Sequence, residues 1–597
     1  MSSEFAGVAA FANLSEATLH AMSDAAQLRS LKGGELLVRF GAQADALYLV
    51  KAGRFHVQLP GGRVVAEIEA GEPVGELAFF SGGTRTADVI ATRDSAVWVL
   101  TRADYESIAR AHPDLTETIL TTVARRLAQT TSGAQAMEAK PGRVVCLLPA
   151  GDAHLPDGFA ERLTASLAKY DKPRLVRRAD MPQGLSPDDA SFGAWVAELE
   201  QSAGRIILRA SHNDDQAGTS WNRAIARNSD DVLLVAPLYD RRPEPSELES
   251  YALPLFQRAN RQLMLWRPHV AKGIEGASAW LEDRDVHLHH HVPLDSEAAF
   301  DRIARFMAGR ANGVVLAGGG ALGCAHIGVM QALLENGVPI DYYGGTSAGA
   351  AMAGALAQGL SAEETLEQMQ DMFIAKKAMK KMTVPVPSFL DPRIFDEQLK
   401  LRYGTKDIAD LPYNFFAVST NLSTNGIYVH TRGPLWEAVR ASGSLPTILP
   451  PLITGAGDIL VDGGVLDNIP VAIMREVKAG PNVVVALRAD TGAAWRIEAT
   501  YGDVRTPGRI ARDLLLRRKQ EREFPSLIEI MSRSMVVASE GRVEQNLAQA
   551  DALLIPPIPA DMQILDWHLG TEVAEAARAF TQSAIETRAD LQAMKAR

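Results

Sequence analysis

At 597 residues, 47% of them hydrophobic and 22% charged, the chain is too long for a single hydrophobic core and too apolar to be largely disordered. Its formal net charge of −11 argues against nucleic acid as a partner, because such binders carry a basic excess that releases counterions from phosphates. Its two cysteines, Cys146 and Cys324, lie far apart in apolar segments, which excludes a disulfide framework or thiolate metal site and fits a reducing compartment.

Met1 to Asn13 has no basic stretch followed by a long apolar one, and no segment approaches the ~20 apolar residues of a spanning helix. The expected location is cytoplasmic, with peripheral contact at the inner membrane face as the route to any membrane. A helical pattern over Glu16–Leu28 precedes short β-like runs at Ala46–Val50, Phe55–Leu59, Val64–Ile68 and Val97–Leu100, punctuated by glycines, which predicts a small antiparallel barrel. A second helical pattern follows over Asp104–Gln129, and residues 131–142 read as a small, polar linker. Arg143–Pro149, Arg205–Leu208, Val232–Pro237 and Gln262–Trp266 then read as buried strands between helical stretches, the pattern of an open parallel α/β sheet over 143–310. His287, His289, His290 and His291 crowd one strand without acidic or cysteine partners, so a partly exposed strand is expected there and no metal site.

A further α/β region, 311–597, runs through Gly313–Ala317, Asp341–Tyr343, Phe415–Ser419, Ile459–Val461 and Val483–Leu487, and its glycine-rich turns carry the chemistry. Gly345-Thr346-Ser347-Ala348-Gly349 lies between a strand and the helix-like Ala350–Leu356, the context of a nucleophile elbow. Gly318-Gly319-Gly320-Ala321-Leu322-Gly323 also joins a strand to a helix, so its N–H groups suit an oxyanion hole. The same letters satisfy the dinucleotide fingerprint G-x-G-x-x-G, but the acidic residue that should close the next strand is absent, since Asp341 opens it. Asp462-Gly463-Gly464 follows Ile459–Val461 and sets a carboxylate at a strand's carboxyl end, although alone it reads as a turn whose glycines shape a loop.

In combination these motifs resemble the patatin-like phospholipase family, whose glycine loop, G-x-S-x-G elbow and D-G-[GA] motif occur in this order. Gly323–Met330, Leu435–Leu452 and Val461–Val471 are similar to the neuropathy target esterase branch. The resemblance implies a Ser347–Asp462 dyad with an oxyanion loop built from Gly318, Gly319, Gly320 and Gly323, the Gly319 and Gly320 N–H groups holding the oxyanion. It implies a serine esterase acting on phospholipid or lysophospholipid acyl esters, with no cofactor for catalysis. Leu322 departs from the family's usual Arg or Lys, so a weak or silent lipid- or nucleotide-responsive sensor or scaffold stands as the alternative. His326, one turn past the loop, reads as a packing or capping residue.

Gly75–Phe80 with Thr84–Ala87 resembles the phosphate cassette of cyclic nucleotide-binding domains, and Leu31–Val38, Asp45–Gly53 and Gly71–Ala87 extend that resemblance over about residues 10–130, which implies such a domain over 1–130. In that family's terms Arg85 holds the cyclic phosphate of cAMP or cGMP, Glu76 takes the ribose hydroxyl and Thr86 hints at cGMP. Asp88, where binders usually carry Thr or Ser, would repel the phosphate. The chain continues past the barrel into the strand Val144–Leu148 where regulators of transcription have a helix-turn-helix. Thr365–Met382 mixes Met369, Met372, Phe373, Met379 and Met382 with Lys376, Lys377, Lys380 and Lys381, which reads as a core helix with a basic edge or as an interfacial segment meeting a membrane. Arg509–Arg522 poses the same choice. A homo-oligomer is left open.

Overall fold

The computed structural model describes residues 14–61, 64–121, 142–151, 153–189, 191–211, 215–238, 244–270, 274–384, 386–487, 508, 527–560 and 562–595. The 131–142 linker, except Gly142, and the Arg509–Arg522 segment lie outside the described residues. The chain forms two compact units, the first of residues 1–271 and 279–309, the second of residues 272–278 and 310–597.

Among the described residues the first unit opens with helix Glu16–Ala25, capped by the Ser15 hydroxyl, and the chain then turns directly into a strand at Gln27. The pattern over Glu16–Leu28 therefore overran the helix, because Gln27 and Leu28 pair with Val99 and Trp98. Eight strands follow: β1 Gln27–Leu31, β2 Leu36–Val38, β3 Ala46–Ala52, β4 Arg54–Gln58, β5 Val64–Glu69, β6 Pro73–Val74, β7 Asp88–Ala91 and β8 Ser95–Thr101. They form two antiparallel sheets, in the orders β1-β8-β3-β6 and β2-β7-β4-β5. Val50, Phe55, Ile68, Val74 and Val97 fill the core between them. Helix Arg102–Ala111 closes the barrel and is interrupted at His112-Pro113, where the missing proline N–H and the clash with the preceding residue break the continuous helix predicted over Asp104–Gln129; helix resumes over 114–121, and 122–129 lie outside the described residues.

Strands β9 Val144–Pro149, β10 Pro173–Val176, β11 Arg205–Arg209, β12 Asp231–Pro237, β13 Arg261–Arg267 and β14 Leu288–Pro293 build a parallel sheet in the order β10-β11-β9-β12-β13-β14. Alternate residues point to opposite faces. Val145, Leu147, Ile207 and Val235 pack with Phe159, Leu163, Phe300 and Ile303 of helices Phe159–Leu167 and Glu297–Met307. Helices Ser191–Ser202 and Gln216–Arg227 meet through Phe192, Trp195 and Trp221. His290 and His291 are buried within β14, which corrects the expectation of a partly exposed strand at those two positions, while His287 and His289 are half-buried. With covered faces, this sheet needs apolar or neutral side chains throughout, and burial drives His290 well below the ordinary imidazole range.

A buried polar junction ties the barrel to this sheet. Asp230 accepts hydrogen bonds from the Arg143 and Val144 N–H groups and faces Arg93 at 3.2 Å and Arg54 at 3.8 Å, while Arg93 also pairs with Glu200. Both guanidiniums and the carboxylate are buried.

In the second unit, β15 Gly313–Leu316, β16 Tyr342–Thr346, β17 Asn414–Asn421, β18 Gly426–His430, β19 Leu452–Ile453, β20 Ile459–Asp462, β21 Asn482–Val485 and β22 Ala552–Leu554 form one sheet. Its order is β19-β20-β17-β16-β15-β21-β22, with β18 also on β17. The run from β17 to β22 is parallel, whereas β20 runs antiparallel to β17. Among the described residues no helix is long and apolar enough to cross a membrane.

Candidate active site

Ser347 follows β16 and stands before helix Ala348–Ala357 with φ 56° and ψ −122°, a conformation costly for a non-glycine residue. The glycines make the turn feasible: a Cβ on Gly349 would lie 2.1 Å from the Leu316 carbonyl oxygen. The Ser347 N–H donates to the Ser442 hydroxyl at 2.8 Å, and that hydroxyl donates to the Val418 carbonyl at 2.6 Å. Ser442 thus pins the strained turn to β17.

Asp462 ends β20 and sits opposite Ser419 of β17, while Thr346 sits opposite Val418. Asp462 lies at the carboxyl end of its strand, as the motif suggested, and because β20 runs antiparallel to β17 the carboxylate approaches Ser347 from across β17. Ser347 Oγ donates to Asp462 Oδ2 at 2.6 Å, and the Gly464 N–H donates to Asp462 Oδ1 at 2.8 Å. Asp462 is 1% exposed; burial pushes its carboxyl up to about 6, against the pull of the Ser347 hydroxyl and the Gly464 N–H. That leaves a base charged at neutral pH yet basic enough to take a proton.

The glycine loop lies beside the serine. A Cβ on Gly318 would come within 3.1 Å of Ser347 Cβ and 2.5 Å of Asn468 Oδ1. The Gly318 N–H donates to the Asn468 carbonyl at 3.3 Å and the Ala321 N–H to Ile564, whereas Gly319 and Gly320 N–H groups make no backbone hydrogen bond among the described residues. Gly323 opens helix Cys324–Glu335. Leu322 is buried, so apolar packing occupies the position where the family carries a cation. His326 is fully buried and its Nε2 donates to the Ala317 carbonyl at 2.8 Å, one residue before the loop; it serves as a tether for β15 and lies outside the Ser347–Asp462 pair. Burial lowers its imidazole to about 4, which keeps it neutral. Ser442 and Asn468 escaped the motif reading, although both sit inside the phrases Leu435–Leu452 and Val461–Val471.

The Thr365–Met382 segment is not one helix. Helix Ala362–Gln370 gives way to a π-helical turn, Asp371–Ala375, which buries Met372 and Phe373, and the chain beyond turns outward. In the barrel, Arg85 is buried and donates to the carbonyls of Gly75 at 2.7 Å and Ala46 at 2.5 Å. It fits only because Gly75, at φ 78°, has no side chain: a Cβ there would lie 2.1 Å from the guanidinium. Glu76 opens helix Glu76–Ser81 and is buried, Thr86 is exposed, and the Asp88 carboxylate accepts the Phe40 N–H at 2.7 Å.

Residues 314–475 match the model of the patatin-like phospholipase family, and residues 28–112 match that of the cyclic nucleotide-binding domain. The chain is 29% identical over 588 residues to an uncharacterized NTE family protein of Mycobacterium tuberculosis, covering 97% of this chain and 95% of that one. It is 28% identical to patatin-like phospholipase domain-containing protein 7 of Rattus norvegicus, over 79% of this chain and 39% of the relative. It is 26% identical to lysophospholipase nte1 of Neurospora crassa, over 90% of this chain and 40% of the relative. The chain thus spans almost the whole mycobacterial relative but about two fifths of the rat and fungal ones.

Proposed function

We propose, for a chain that carries a patatin-like phospholipase domain and a cyclic nucleotide-binding domain and is homologous to NTE family proteins, that Ser347 and Asp462 are the catalytic dyad of a lysophospholipase or phospholipase. The observation that carries this reading is the 2.6 Å hydrogen bond from the elbow serine to a buried carboxylate, beside a glycine loop with uncommitted N–H groups. As its proton passes to Asp462 Oδ2, Ser347 Oγ bonds to the acyl carbonyl carbon. The tetrahedral oxyanion rests on the Gly319 and Gly320 N–H groups, each such donor contributing roughly 3 kcal/mol in comparable sites. Collapse breaks the acyl–oxygen bond, the glycerol oxygen takes the proton, and Asp462 then accepts a proton from the water that releases the fatty acid. The dyad requires no cofactor. Fatty-acid release from lysophosphatidylcholine, lost in Ser347→Ala, tests the reading.

Membrane lipid would be met through residues 376–390. Met382, Val384 and Val386 are 65%, 76% and 86% exposed, flanked by exposed Lys376, Lys377, Lys380 and Lys381. The base of this tip is fastened to the dyad's surroundings: Phe389 and Leu390 N–H groups donate to Thr447 and Ile448, and the nearby Ser444 carbonyl accepts the Asp462 N–H. An apolar tip among lysines suits peripheral docking on anionic lipid. The barrel's regulatory ligand would be cAMP or cGMP, its phosphate taken by Arg85, whose five donors exceed the two carbonyls they now serve.

A further inference from the structure

The central parallel sheet carries a second site. Its chain leaves β9 for β10, returns to β11 between them, and crosses β9 to reach β12, so β9 is where the strand order reverses. Ligands of open α/β sheets bind at such a point, in the crevice beyond the carboxyl ends of the strands. A cavity of about 480 Å³ occupies that place, walled by residues that follow four different strands: Gly151 after β9, Arg177 and Arg178 after β10, Arg209 and Ser211 at β11, and Glu247 after β12. That volume is typical of small-molecule sites, which run ~300–1,000 Å³.

We propose that this crevice binds a phosphate-bearing small molecule of about nucleotide size, held by Arg177, Arg178 and Arg209. Three arginines lining one cavity, two from the segment after β10 and one from the end of β11, suit an oxyanion, because each guanidinium offers paired donors in a fixed plane. Their present partners are replaceable: Arg178 forks onto Asp215 at 2.8 and 3.1 Å, and Arg177 reaches Glu161 at 2.8 Å, in solvent-exposed pairs. Glu247, the one carboxylate on the wall among the described residues, is drawn off by Arg223 at 2.6 Å. The crevice's floor is rigid, since the buried Glu249 carboxylate accepts the Gly151 and Ser246 N–H groups and the buried Arg284 guanidinium. This site lies in the first unit and uses neither the dyad nor Arg85.

The test is isothermal titration of the full chain with ADP, glycerol 3-phosphate and inorganic phosphate, and with adenosine as the uncharged control. The double variant Arg178→Gln/Arg209→Gln should weaken binding by about tenfold or more. Asp215→Asn, which retains a capping side chain for helix Gln216–Arg227 while freeing Arg178, should tighten it. Arg85→Gln should leave it unchanged. Binding of ADP but not glycerol 3-phosphate would identify a nucleotide, and the reverse a lipid-headgroup fragment. The proposal is overturned if no phosphate compound binds at millimolar concentration, if adenosine binds as well as ADP, if Asp215→Asn has no effect, or if Arg85→Gln abolishes binding.

Discussion

Replacing Asp462 with Asn should abolish turnover and at the same time make the second unit more stable. The carboxyl titrates near 6 in the fold because burial disfavours its charge, against ~3.9 in an unfolded chain. A raised folded value means that the favourable contribution of the neutral acid is complete below pH ~4 and lost as pH rises through 6. Above pH 6 the buried charge therefore opposes folding, by about two units of pKa or roughly 3 kcal/mol. Asparagine keeps the shape, accepts the Gly464 N–H and carries no charge. At pH 8 the calorimetric transition of this unit should rise by about 6 °C, at the ~2 °C per kcal/mol typical of domains of this size. At pH 5 the gain should shrink to about half, because wild-type Asp462 is then mostly neutral. A variant that melts at or below wild type at pH 8, or whose gain does not depend on pH, refutes the account of Asp462 as a destabilised base.

The same ionisation should govern the rate: kcat/KM falls about tenfold per pH unit below 6, read from a pH profile on a soluble ester. Gly318→Ala should cut kcat by about a hundredfold or more, since its Cβ meets Asn468 and Ser347, with melting temperature checking that the fold persists. Val384→Asp/Val386→Asp should reduce sedimentation with phosphatidylglycerol vesicles several-fold yet leave hydrolysis of a soluble ester intact; unchanged sedimentation would exclude the tip as the docking element. Asp230→Ala should destabilise the first unit by about 3–5 kcal/mol in denaturant titration, because two buried guanidiniums lose their common partner.

The elbow and the glycine loop were legible from the chain because each depends on a local backbone constraint that only certain letters satisfy, whereas Asp462 stood out only through the order of the three motifs that the family resemblance supplies. Gly349 is required by the Leu316 carbonyl behind it, and that requirement leaves a mark within five residues. The support of the site was not legible: Ser442 and Asn468 act through contacts 95 and 150 residues away in sequence, and nothing local distinguishes them from ordinary polar residues. Periodicity misjudged helix ends where a strand partner or Pro113 intervened, and it fused Thr365–Met382 because the π-helical turn that redirects the chain there carries no glycine or proline to mark it. Strands as short as Pro73–Val74 lie below what alternation can reveal. The arginines of the central crevice stand at the ends of two strands, Arg177 and Arg178 after β10 and Arg209 closing β11, and only the sheet order brings them together.

The most direct test measures fatty-acid release from lysophosphatidylcholine and phosphatidylcholine by wild type, Ser347→Ala and Asp462→Asn, each with and without cAMP or cGMP. The dyad predicts release by wild type and a loss of at least about a thousandfold in both variants, folded by their melting curves. Release that survives in either folded variant, or background-level release from all three proteins, would contradict it.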